Sequence, residues 1–277
     1  MRAWAVDVLA RSGVPSPEAD AELLLGHVTG LSRGAIQARI IAGGALSVEE
    51  HLETVDAVER RAAREPLQHI TGHAPFRHLD LRVGPGVFVP RPETELTAQL
   101  AIDALLAVPS PSPRVVDLGT GSGAIAIALA TEVPHASVTA VENSPVAWWW
   151  TKQNANALAG DNLRLVFQDL ATALPGEEFD VVVSNPPYVP DGAIPRDPEV
   201  RRHDPAVALY GGPDGLDIVR ILSRRALEWL RPGGTLILEH AEIQGEAVRR
   251  LLESDGFWAM ATHRDLLGRD RVTTALR

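Results

Sequence analysis

The sequence predicts an α/β protein, in which a mostly parallel β-sheet carries helices on both faces and a small helical bundle precedes the sheet. Two patterns along the chain predict this architecture. From about residue 93 onward, short apolar runs alternate with stretches of helical periodicity, which is typical of βαβ units. Before residue 66, apolar residues recur at three- and four-residue spacing, which is typical of helices that pack together.

The composition favours a globular protein whose partners are proteins or small molecules. The chain has 277 residues, enough for one large or two modest domains, and 45% of them are hydrophobic. Its formal net charge of -10 argues against tight, sequence-indifferent binding to nucleic acid, because such binding depends on Lys and Arg side chains. We therefore expect no direct nucleic-acid partner. The absence of cysteine excludes disulfides, thiolate catalysis and cysteine-based zinc sites.

Nothing in the sequence indicates export or membrane insertion. Asp7 and Arg11 interrupt the apolar residues near the N-terminus, so we expect no signal peptide. No window approaches the roughly 20 apolar residues that a membrane helix needs. The expectation is therefore a cytoplasmic protein without a membrane partner.

The first predicted domain, residues 1–66, is a helical bundle. Its helices are predicted at 3–12, 16–29, 34–41 and 47–63. Ser16 and Ser47 suit helix starts, since a hydroxyl can cap the free backbone N–H groups there. The bundle is predicted to end near Glu65 and Pro66. A basic cluster near this end is interpreted as a solvated helix face, with an acidic or RNA-like partner as the alternative. The cluster consists of Arg60, Arg61 and Arg64.

Residues 67–92 are predicted to form a β-hairpin linker. Apolar and polar residues alternate in its middle, and turn signals stand at Gly72 and from Gly84 to Gly86. The alternating apolar residues are Phe76, Leu79, Leu81 and Val83. Three histidines lie close together nearby, but structural zinc sites usually have four ligands and no cysteine is present, so we predict no metal site. These histidines are His69, His73 and His78.

The second predicted domain, residues 93–277, alternates strands with helices after an initial helix. Strands are predicted at 114–118, 137–141, 163–167, 180–184 and 235–239. Helices are predicted at about 123–132, 145–158, 215–230 and 243–255. Residues 257–277 are predicted to add a closing antiparallel pair of strands. The consecutive Trp148, Trp149 and Trp150 would point in three directions on a helix, and no role is assigned to them.

A glycine-rich loop, in the sequence VVDLGTGSGAIAIALA, joins the first strand of this domain to the next helix. Gly119, Gly121 and Gly123 allow a sharp turn and a close approach of a ligand to the backbone. Asp117 lies near the end of the strand, where its carboxylate either fixes the loop or reaches the ligand. Glu142 ends the following strand, where an acidic residue accepts hydrogen bonds from ribose hydroxyls in such folds. These features predict a nucleoside cofactor without specifying which one.

A second motif follows the apolar strand FDVVVS and consists of Asn185, Pro186, Pro187 and Tyr188. The two prolines stiffen the loop at the edge of the sheet. The Asn185 side-chain oxygen and the Pro186 carbonyl can both accept hydrogen bonds from one NH2 group. This pair orients an amide or an exocyclic amine toward a methyl donor. Tyr188 can pack its ring against the flat target group.

With these motifs, the chain resembles the PrmC/HemK family, the release-factor glutamine methyltransferases, over nearly its whole length. The resemblance rests on several motifs in the same order, namely PLQHITG, FVPRPETE, VVDLGTGSGAIAIALA, SNPPYVP, ALYGGPDGLD and RDLLGRDRV. It implies a Rossmann-like class I methyltransferase sheet that uses S-adenosylmethionine.

The resemblance also assigns site residues. Together with the residues above, it gives a predicted S-adenosylmethionine site of Asp117, Gly119, Thr120, Gly121, Ser122, Gly123, Glu142, Asp169, Leu170 and Asn185. The substrate glutamine is expected at Asn185, Pro186, Pro187 and Tyr188, of which the first two and Tyr188 are the predicted catalytic residues. Near the same pocket the resemblance places Arg91, Pro92 and Glu93. Relatives often carry Asp at position 142 and an aromatic residue at position 170.

The function expected from this resemblance is methylation of the Gly-Gly-Gln glutamine of peptide chain release factors, with the helical domain recognising the protein substrate. A glutamine of a ribosomal protein is an alternative, because the site chemistry would be identical. A DNA adenine methyltransferase is another alternative, which the acidic charge disfavours. An NAD-dependent oxidoreductase would leave the Asn-Pro-Pro-Tyr motif unexplained. A non-catalytic binding module would bind the cofactor without transferring a methyl group.

Overall fold

The computed structural model describes residues 1–277 as two compact units. The first unit comprises Met1–His73 and Pro195–His203, and the second comprises Ala74–Ile194 and Asp204–Arg277. The sequence prediction ended the helical domain at residue 66, whereas the first unit continues to His73. It also takes in a segment from far along the chain, which local periodicity does not reveal.

The first unit is helical, as predicted. Its helices are α1 (Arg2–Arg11), α2 (Pro17–Thr29), α3 (Arg33–Ile41), α4 (Val48–Ala62), α5 (Leu67–Thr71) and α9 (Pro198–His203). The Ser47 hydroxyl accepts a hydrogen bond from the Glu50 N–H, and the Glu50 carboxylate accepts one from the Ser47 N–H, so a capping box begins α4. The small core is formed by Ala5, Leu9, Val14, Ala21, Leu24, Ala57, Val58 and Ile70.

The basic cluster at the end of α4 is mostly buried in ion pairs, so its interpretation as a solvated helix face was wrong. Arg61 is 6% exposed. Its Nε lies 2.7 Å from Asp20 Oδ2 and its Nη1 lies 2.8 Å from Glu199 Oε1. Arg64 contacts both carboxylate oxygens of Glu199, and Arg60 pairs with Glu65. The partner Glu199 is 138 positions from Arg61, which is why sequence reasoning missed it.

Two strands and a helix follow α5 along the chain. The strands β1 (His73–Phe76) and β2 (Leu79–Arg82) pair with each other and confirm the predicted hairpin. The start of the predicted linker is helical instead, because Leu67–Thr71 forms α5. Helix α6 (Thr94–Ala107) confirms the helix predicted to begin near residue 93.

The remaining elements follow the predicted alternation closely. The strands are β3 (Arg114–Leu118), β4 (Ser137–Glu142), β5 (Leu163–Phe167), β6 (Phe179–Ser184), β7 (Leu230–Glu239), β8 (Trp258–Arg264) and β9 (Asp270–Leu276). The helices are α7 (Ala124–Glu132), α8 (Pro145–Leu158), α10 (Asp217–Trp229) and α11 (Gly245–Asp255). Strand β7 begins five positions before its predicted start at residue 235. A short 3-10 turn at Ala206–Ala208 was not predicted.

These strands form one seven-stranded sheet in the order β5-β4-β3-β6-β7-β9-β8. Strands β3 to β7 run parallel. Strand β9 runs antiparallel between β7 and β8, which confirms the predicted closing pair. Because parallel strands end at the same edge, the carboxyl ends of β3, β4, β5, β6 and β7 lie along one edge, where folds of this kind bind ligands.

The sheet is buried on both faces. Alternate strand residues contribute to two separate apolar clusters, as the two-residue period of a strand requires. Val115, Val181 and Ile237 belong to the cluster that includes α6 and α7. Val116 and Val182 belong to the cluster that includes α10 and α11. The fold class predicted from the sequence is therefore confirmed.

The three consecutive tryptophans on α8 have three different surroundings. The Trp148 ring lies 5.4 Å from the Phe167 ring, measured between centroids. Trp149 is 53% exposed. Trp150 packs against the loop after β2, where a Cβ on Gly84 would lie 2.6 Å from the Trp150 ring. Glycine at position 84 thus allows the tryptophan to hold this loop on α8.

No group of three or more His, Asp or Glu side chains is arranged to hold a metal ion. None of the helices has the length and the apolar character needed to cross a membrane.

Candidate active site

The glycine loop connects β3 to α7 at the carboxyl edge of the sheet. Gly119 and Gly121 have positive φ angles of 70° and 61°, which only glycine adopts without strain. A Cβ atom on either residue would meet no atom within 4 Å. The loop therefore presents bare backbone beside open space, which fits a ligand that approaches the main chain closely.

Glu142, at the end of β4, holds the glycine loop from the side. Its Oε2 accepts a hydrogen bond from the Gly121 N–H at 2.9 Å. Its Oε1 accepts from the N–H groups of Asn143 and Ser144 at 2.9 and 2.8 Å. Each carboxylate oxygen can accept more than one hydrogen bond. Glu142 can therefore fix the loop and still accept from a ribose hydroxyl, and that ligand contact stays a prediction.

Asp117 lies beneath the loop and is 1% exposed. Its Oδ2 accepts from the Thr120 hydroxyl at 2.6 Å and from the Ala126 N–H at 3.2 Å. Its Oδ1 is buried and has no hydrogen-bond partner. Burial raises the pKa of this carboxyl group to about 7. A buried acceptor without a partner fits a polar ligand that donates a hydrogen bond at this point.

Two residues that the sequence analysis did not single out hold the other side of the loop. The Thr151 hydroxyl donates to the Gly121 carbonyl at 2.6 Å. The Asn154 side-chain amide donates to the Ser122 carbonyl at 2.8 Å. Both side chains are buried on α8. Polar residues on the inward face of this helix were the signal that could have revealed them.

Asp169 and Leu170 follow β5 at the same edge. Asp169 Oδ2 accepts from the Asn143 side-chain amide at 3.3 Å, and Oδ1 accepts from the Ala171 N–H at 2.8 Å. Leu170 is partly buried against the cluster that contains Val116. Their contact with an adenine ring stays a prediction.

The Asn-Pro-Pro-Tyr motif follows β6, next to the glycine loop. The Ser184 hydroxyl donates to the Leu118 carbonyl at 2.7 Å, which joins the ends of β6 and β3. The Asn185 Nδ2 donates to the Thr94 hydroxyl oxygen at 3.2 Å. Neither Asn185 Oδ1 nor the Pro186 carbonyl accepts a hydrogen bond from the rest of the chain. The predicted pair of acceptors is thus available for a ligand.

The segment ALYGGPDGLD, residues 208–217, packs against the backbone that follows and includes this motif. Val189 donates its N–H to the Leu209 carbonyl at 2.8 Å, and the Val189 carbonyl accepts from the Gly211 N–H at 2.9 Å. A Cβ on Gly211 would lie 2.4 Å from the Pro187 carbonyl oxygen. The Gln244 side chain donates to the Tyr188 carbonyl at 3.0 Å. Backbone contact this close explains why the segment needs glycine at position 211.

Glu239 is a buried acid beside the Asn-Pro-Pro-Tyr motif that the sequence reasoning did not single out. It ends β7 and is 1% exposed. Its carboxylate accepts from the Thr97 hydroxyl at 2.8 Å, from the Thr94 hydroxyl at 3.3 Å and from the Tyr188 hydroxyl at 3.5 Å. Burial raises its pKa to about 7. An acidic residue at the end of a parallel strand was the signal, since the same position drew attention to Glu142.

The segment Arg91 to Glu93 leads directly into α6. Arg91 pairs with the buried Asp204, and its guanidinium lies 4.9 Å from the centre of the Phe88 ring. The Glu93 carboxylate lies 3.9 Å from Arg269 Nη2. Because Glu93 precedes Thr94, this segment adjoins Asn185. Direct contact of Arg91 or Glu93 with a substrate stays a prediction.

Comparison with solved structures supports the fold. A methyltransferase from Pyrococcus furiosus superposes with a TM-score of 0.51 at 19% identity, over 72% of this chain and 89% of that one. The T. thermophilus 16S rRNA N2 G1207 methyltransferase RsmC, solved with AdoMet and guanosine, superposes with a TM-score of 0.53 at 23% identity. That match covers 74% of this chain and 49% of RsmC. At these identities the likeness concerns the fold alone.

Comparison of sequences is more specific. A family model described as the PrmC N-terminal domain matches residues 1–72, and one described as the methyltransferase small domain matches residues 78–197. The release factor glutamine methyltransferase of Streptomyces coelicolor is 47% identical over 99% of this chain and 95% of its own length. The enzyme of the same name from Deinococcus radiodurans is 44% identical over 97% of this chain and 94% of its own length. The chain is therefore a methyltransferase that belongs to the release factor glutamine methyltransferase family.

Proposed function

We propose that this chain transfers a methyl group from S-adenosylmethionine to the side-chain amide nitrogen of the glutamine in the Gly-Gly-Gln sequence of peptide chain release factors. The observation that carries the proposal is the orientation of Asn185. Its Nδ2 is engaged by Thr94, so its Oδ1 joins the Pro186 carbonyl as a pair of acceptors. The names of the relatives, which cover nearly the whole chain, support the choice of substrate.

The pair of acceptors suits an amide NH2 group, which has two N–H bonds to donate. The lone pair of an amide nitrogen is delocalised into the neighbouring carbonyl, so the nitrogen is a poor nucleophile. Two acceptors in fixed positions orient that nitrogen and favour the positive charge that develops on it. The adjacent Tyr188 ring offers an apolar face for the flat amide group. Asn185 and Pro186 thus supply position and electrostatic stabilisation.

The residues at the carboxyl edge of the sheet fit S-adenosylmethionine. Gly119 and Gly121 leave room for close approach, Glu142 faces the loop as a hydrogen-bond acceptor, and Asp117 offers a buried oxygen without a partner. Asp169 follows the next strand along the edge. When it is bound, S-adenosylmethionine supplies a methyl group carried on positively charged sulfur.

We assign recognition of the protein substrate to the first unit. Selection of one glutamine among many requires contacts beyond the amide itself. The helices of this unit expose several large apolar side chains, which suits contact with a protein. These side chains are Ile40, Ile41, Val48 and Leu52. Release factors act on cytoplasmic ribosomes, so we also place the enzyme in the cytoplasm and expect no membrane or direct nucleic-acid partner.

The experiment that tests the proposal is methyl transfer from radiolabelled S-adenosylmethionine to a purified release factor. The matched control is the same factor with the Gly-Gly-Gln glutamine changed to alanine. Label on the first factor and none on the second is the expected result. Label on both would place the target at another residue. Label on neither, with cofactor binding intact, would contradict the proposal, and ribosomal proteins and then adenine-containing DNA would be the next substrates to offer.

A further inference from the structure

Thr94 lies between Asn185 and the buried carboxylate of Glu239. The Thr94 Oγ1 atom is 3.2 Å from Asn185 Nδ2 and 3.3 Å from Glu239 Oε1. A second hydroxyl, that of Thr97, donates to the other oxygen of Glu239 at 2.8 Å. Together, the three hydrogen bonds connect side chains from three elements. These are the start of α6, the loop after β6 and the end of β7. The contacts therefore form a chain from Glu239 through Thr94 to Asn185.

The chemistry of the Thr94 hydroxyl determines which group donates and which accepts in this series of hydrogen bonds. A threonine hydroxyl has one hydrogen to donate, while an ionised carboxylate can only accept. While Glu239 is ionised, the hydrogen of Thr94 is therefore committed to Glu239, and Thr94 can only accept from Asn185. It follows that the NH2 end of the Asn185 amide faces Thr94 and that Oδ1 faces away from it.

We propose that Glu239 is a positioning residue for methyl transfer, which acts through Thr94 to hold the Asn185 amide with its oxygen toward the substrate. The inference rests on the proposed function, because that oxygen is needed when the target is an NH2 group. In the opposite orientation, the Asn185 NH2 group would face the NH2 group of the substrate. Two donors would then meet, and only the Pro186 carbonyl would remain as an acceptor.

The charge state of Glu239 decides whether the hydrogen bonds from Glu239 through Thr94 to Asn185 keep their direction. Arg271 favours the ionised carboxylate and Glu93 opposes it. The Tyr188 hydroxyl lies 3.5 Å away, and Arg91 acts in turn on Tyr188. Burial raises the pKa of Glu239 to about 7, because it outweighs Arg271 and the hydrogen bonds from Thr97 and Thr94, all of which lower that pKa. Once protonated, Glu239 can donate to Thr94, whose own hydrogen is then free to turn toward Asn185.

Two substitutions at Thr94 separate positioning from packing. Thr94→Val keeps the shape of the side chain and removes the hydroxyl, whereas Thr94→Ser keeps the hydroxyl and removes a methyl group. We expect kcat for release-factor methylation to fall by about 10- to 100-fold in Thr94→Val and to stay within about threefold of the parent in Thr94→Ser. A purely structural role predicts the reverse order. Equal activity of the two variants, or a lower kcat for Thr94→Ser, would overturn the inference.

The matched control is Thr139→Val, which makes the same change in a buried threonine that lies outside the candidate site. Thr139 lies on β4 and is 2% exposed. Its hydroxyl contacts only Arg164, at 3.3 Å. This variant should keep the kcat of the parent. A fall equal to that of Thr94→Val would show that any buried threonine matters equally, which would contradict the positioning role.

Glu239→Gln tests the carboxylate itself. Its amide cannot ionise and its NH2 group can donate to Thr94, so a charged carboxylate no longer fixes the direction of the hydrogen-bond chain at any pH. We expect kcat to fall by about 10- to 100-fold, while the Kd for S-adenosylmethionine stays within about twofold of the parent. For the parent, kcat should rise with pH through about 7, and this acid limb should be absent in Glu239→Gln. Asp117 also titrates near 7, so an acid limb that persists in Glu239→Gln would assign it to Asp117 and overturn the role of Glu239.

A spectroscopic measurement separates failure of this inference from failure of the proposed function. In uniformly 15N-labelled protein, the side-chain NH2 signals of Asn185 can be identified by their loss in Asn185→Ala. They should shift between about pH 6 and pH 8 in the parent and stay in place in Glu239→Gln. This readout needs no substrate, so it holds even if release factors are not methylated. Signals that do not shift in the parent, or that shift equally in both proteins, would overturn the coupling between Glu239 and Asn185.

Discussion

At the scale of single residues, the proposed reaction depends most specifically on Asn185. Asn185→Ala removes one of the two acceptors for the substrate amide and leaves the glycine loop and Glu142 untouched. We expect turnover to fall by about 100-fold or more, because loss of one fixed electrostatic partner has a cost of that order. The Kd for S-adenosylmethionine, measured by calorimetry, should change little. Turnover within about threefold of the parent would contradict the role of Asn185.

The buried carboxyl group of Asp117 should make the stability of the protein depend on pH. Its pKa is about 7 in the folded protein and 3.8 in the reference state, so the folded state binds the proton more tightly. The resulting stabilisation is present below about pH 4 and is lost as the pH rises through about 7. Asp117→Asn should therefore raise the melting temperature relative to the parent more at pH 8 than at pH 5. A difference of the same size at both pH values would contradict the raised pKa.

Prediction from sequence identified some residues of the candidate site and left out others. Asn185 and Glu142 were identified because each lies at the carboxyl end of an apolar strand, a position that can be read from the sequence. Glu239 ends a strand in the same way, but no neighbouring motif distinguished it from a solvated acid. Thr94 is 91 positions from Asn185, and only the packing of α6 against the sheet brings the two together.

At the scale of elements, the segment ALYGGPDGLD acts as a support for the Asn-Pro-Pro-Tyr loop. Gly211→Ala would place a Cβ 2.4 Å from the Pro187 carbonyl and 2.8 Å from the Gly215 carbonyl. Both contacts are with backbone, so the loop itself must shift. We expect kcat to fall by about 10- to 100-fold, because a displacement near 1 Å at a reacting centre has an effect of that size.

The matched control for this change is Gly192→Ala, four positions after Tyr188. A Cβ at Gly192 would meet nothing within 4 Å, and its backbone is not in the left-handed region. Steady-state kinetics of this variant should match the parent. If Gly211→Ala were equally harmless, the proposed support of the loop would be contradicted.

Element types and the closing antiparallel pair were predicted from periodicity, since burial on one face repeats every two residues in a strand and every three or four in a helix. The helices α5 and α9 were missed, because stretches of five and six residues are too short to show a period. The role of Gly211 was also missed, since its cause is close contact with Pro187 in another loop.

At the scale of the whole molecule, the buried carboxylate of Glu22 joins α1, α2 and α3 of the first unit through partly exposed partners. Glu22 accepts from Arg33 at 2.7 Å, from Arg2 at 2.8 Å and from Gln37 at 2.9 Å. The hydrogen bond from Arg33 is the largest cause that lowers the pKa of Glu22 to about 2. A depressed pKa means that the stabilisation is present above about pH 4.5 and is lost as the pH falls through about 2.

We therefore expect Glu22→Gln to lower the free energy of unfolding by roughly 1–3 kcal/mol at pH 7. The difference from the parent should shrink as the pH falls toward 3. Urea unfolding followed by circular dichroism at pH 7 and at pH 3 measures both values. A difference that stays constant between these pH values would show that ionisation of Glu22 is not the cause.

The sequence by itself determined the α/β class, the order of the strands and helices, and the two loops that build the site. These features follow from local patterns, and the carboxyl ends of parallel strands must share one edge of the sheet. Only the tertiary structure decided that Thr94 lies between Asn185 and Glu239, that Gly211 packs against the Pro187 carbonyl, and that Glu199 belongs with the helical unit. Those contacts join residues up to 145 positions apart, and no periodicity in the chain records which distant side chains will meet.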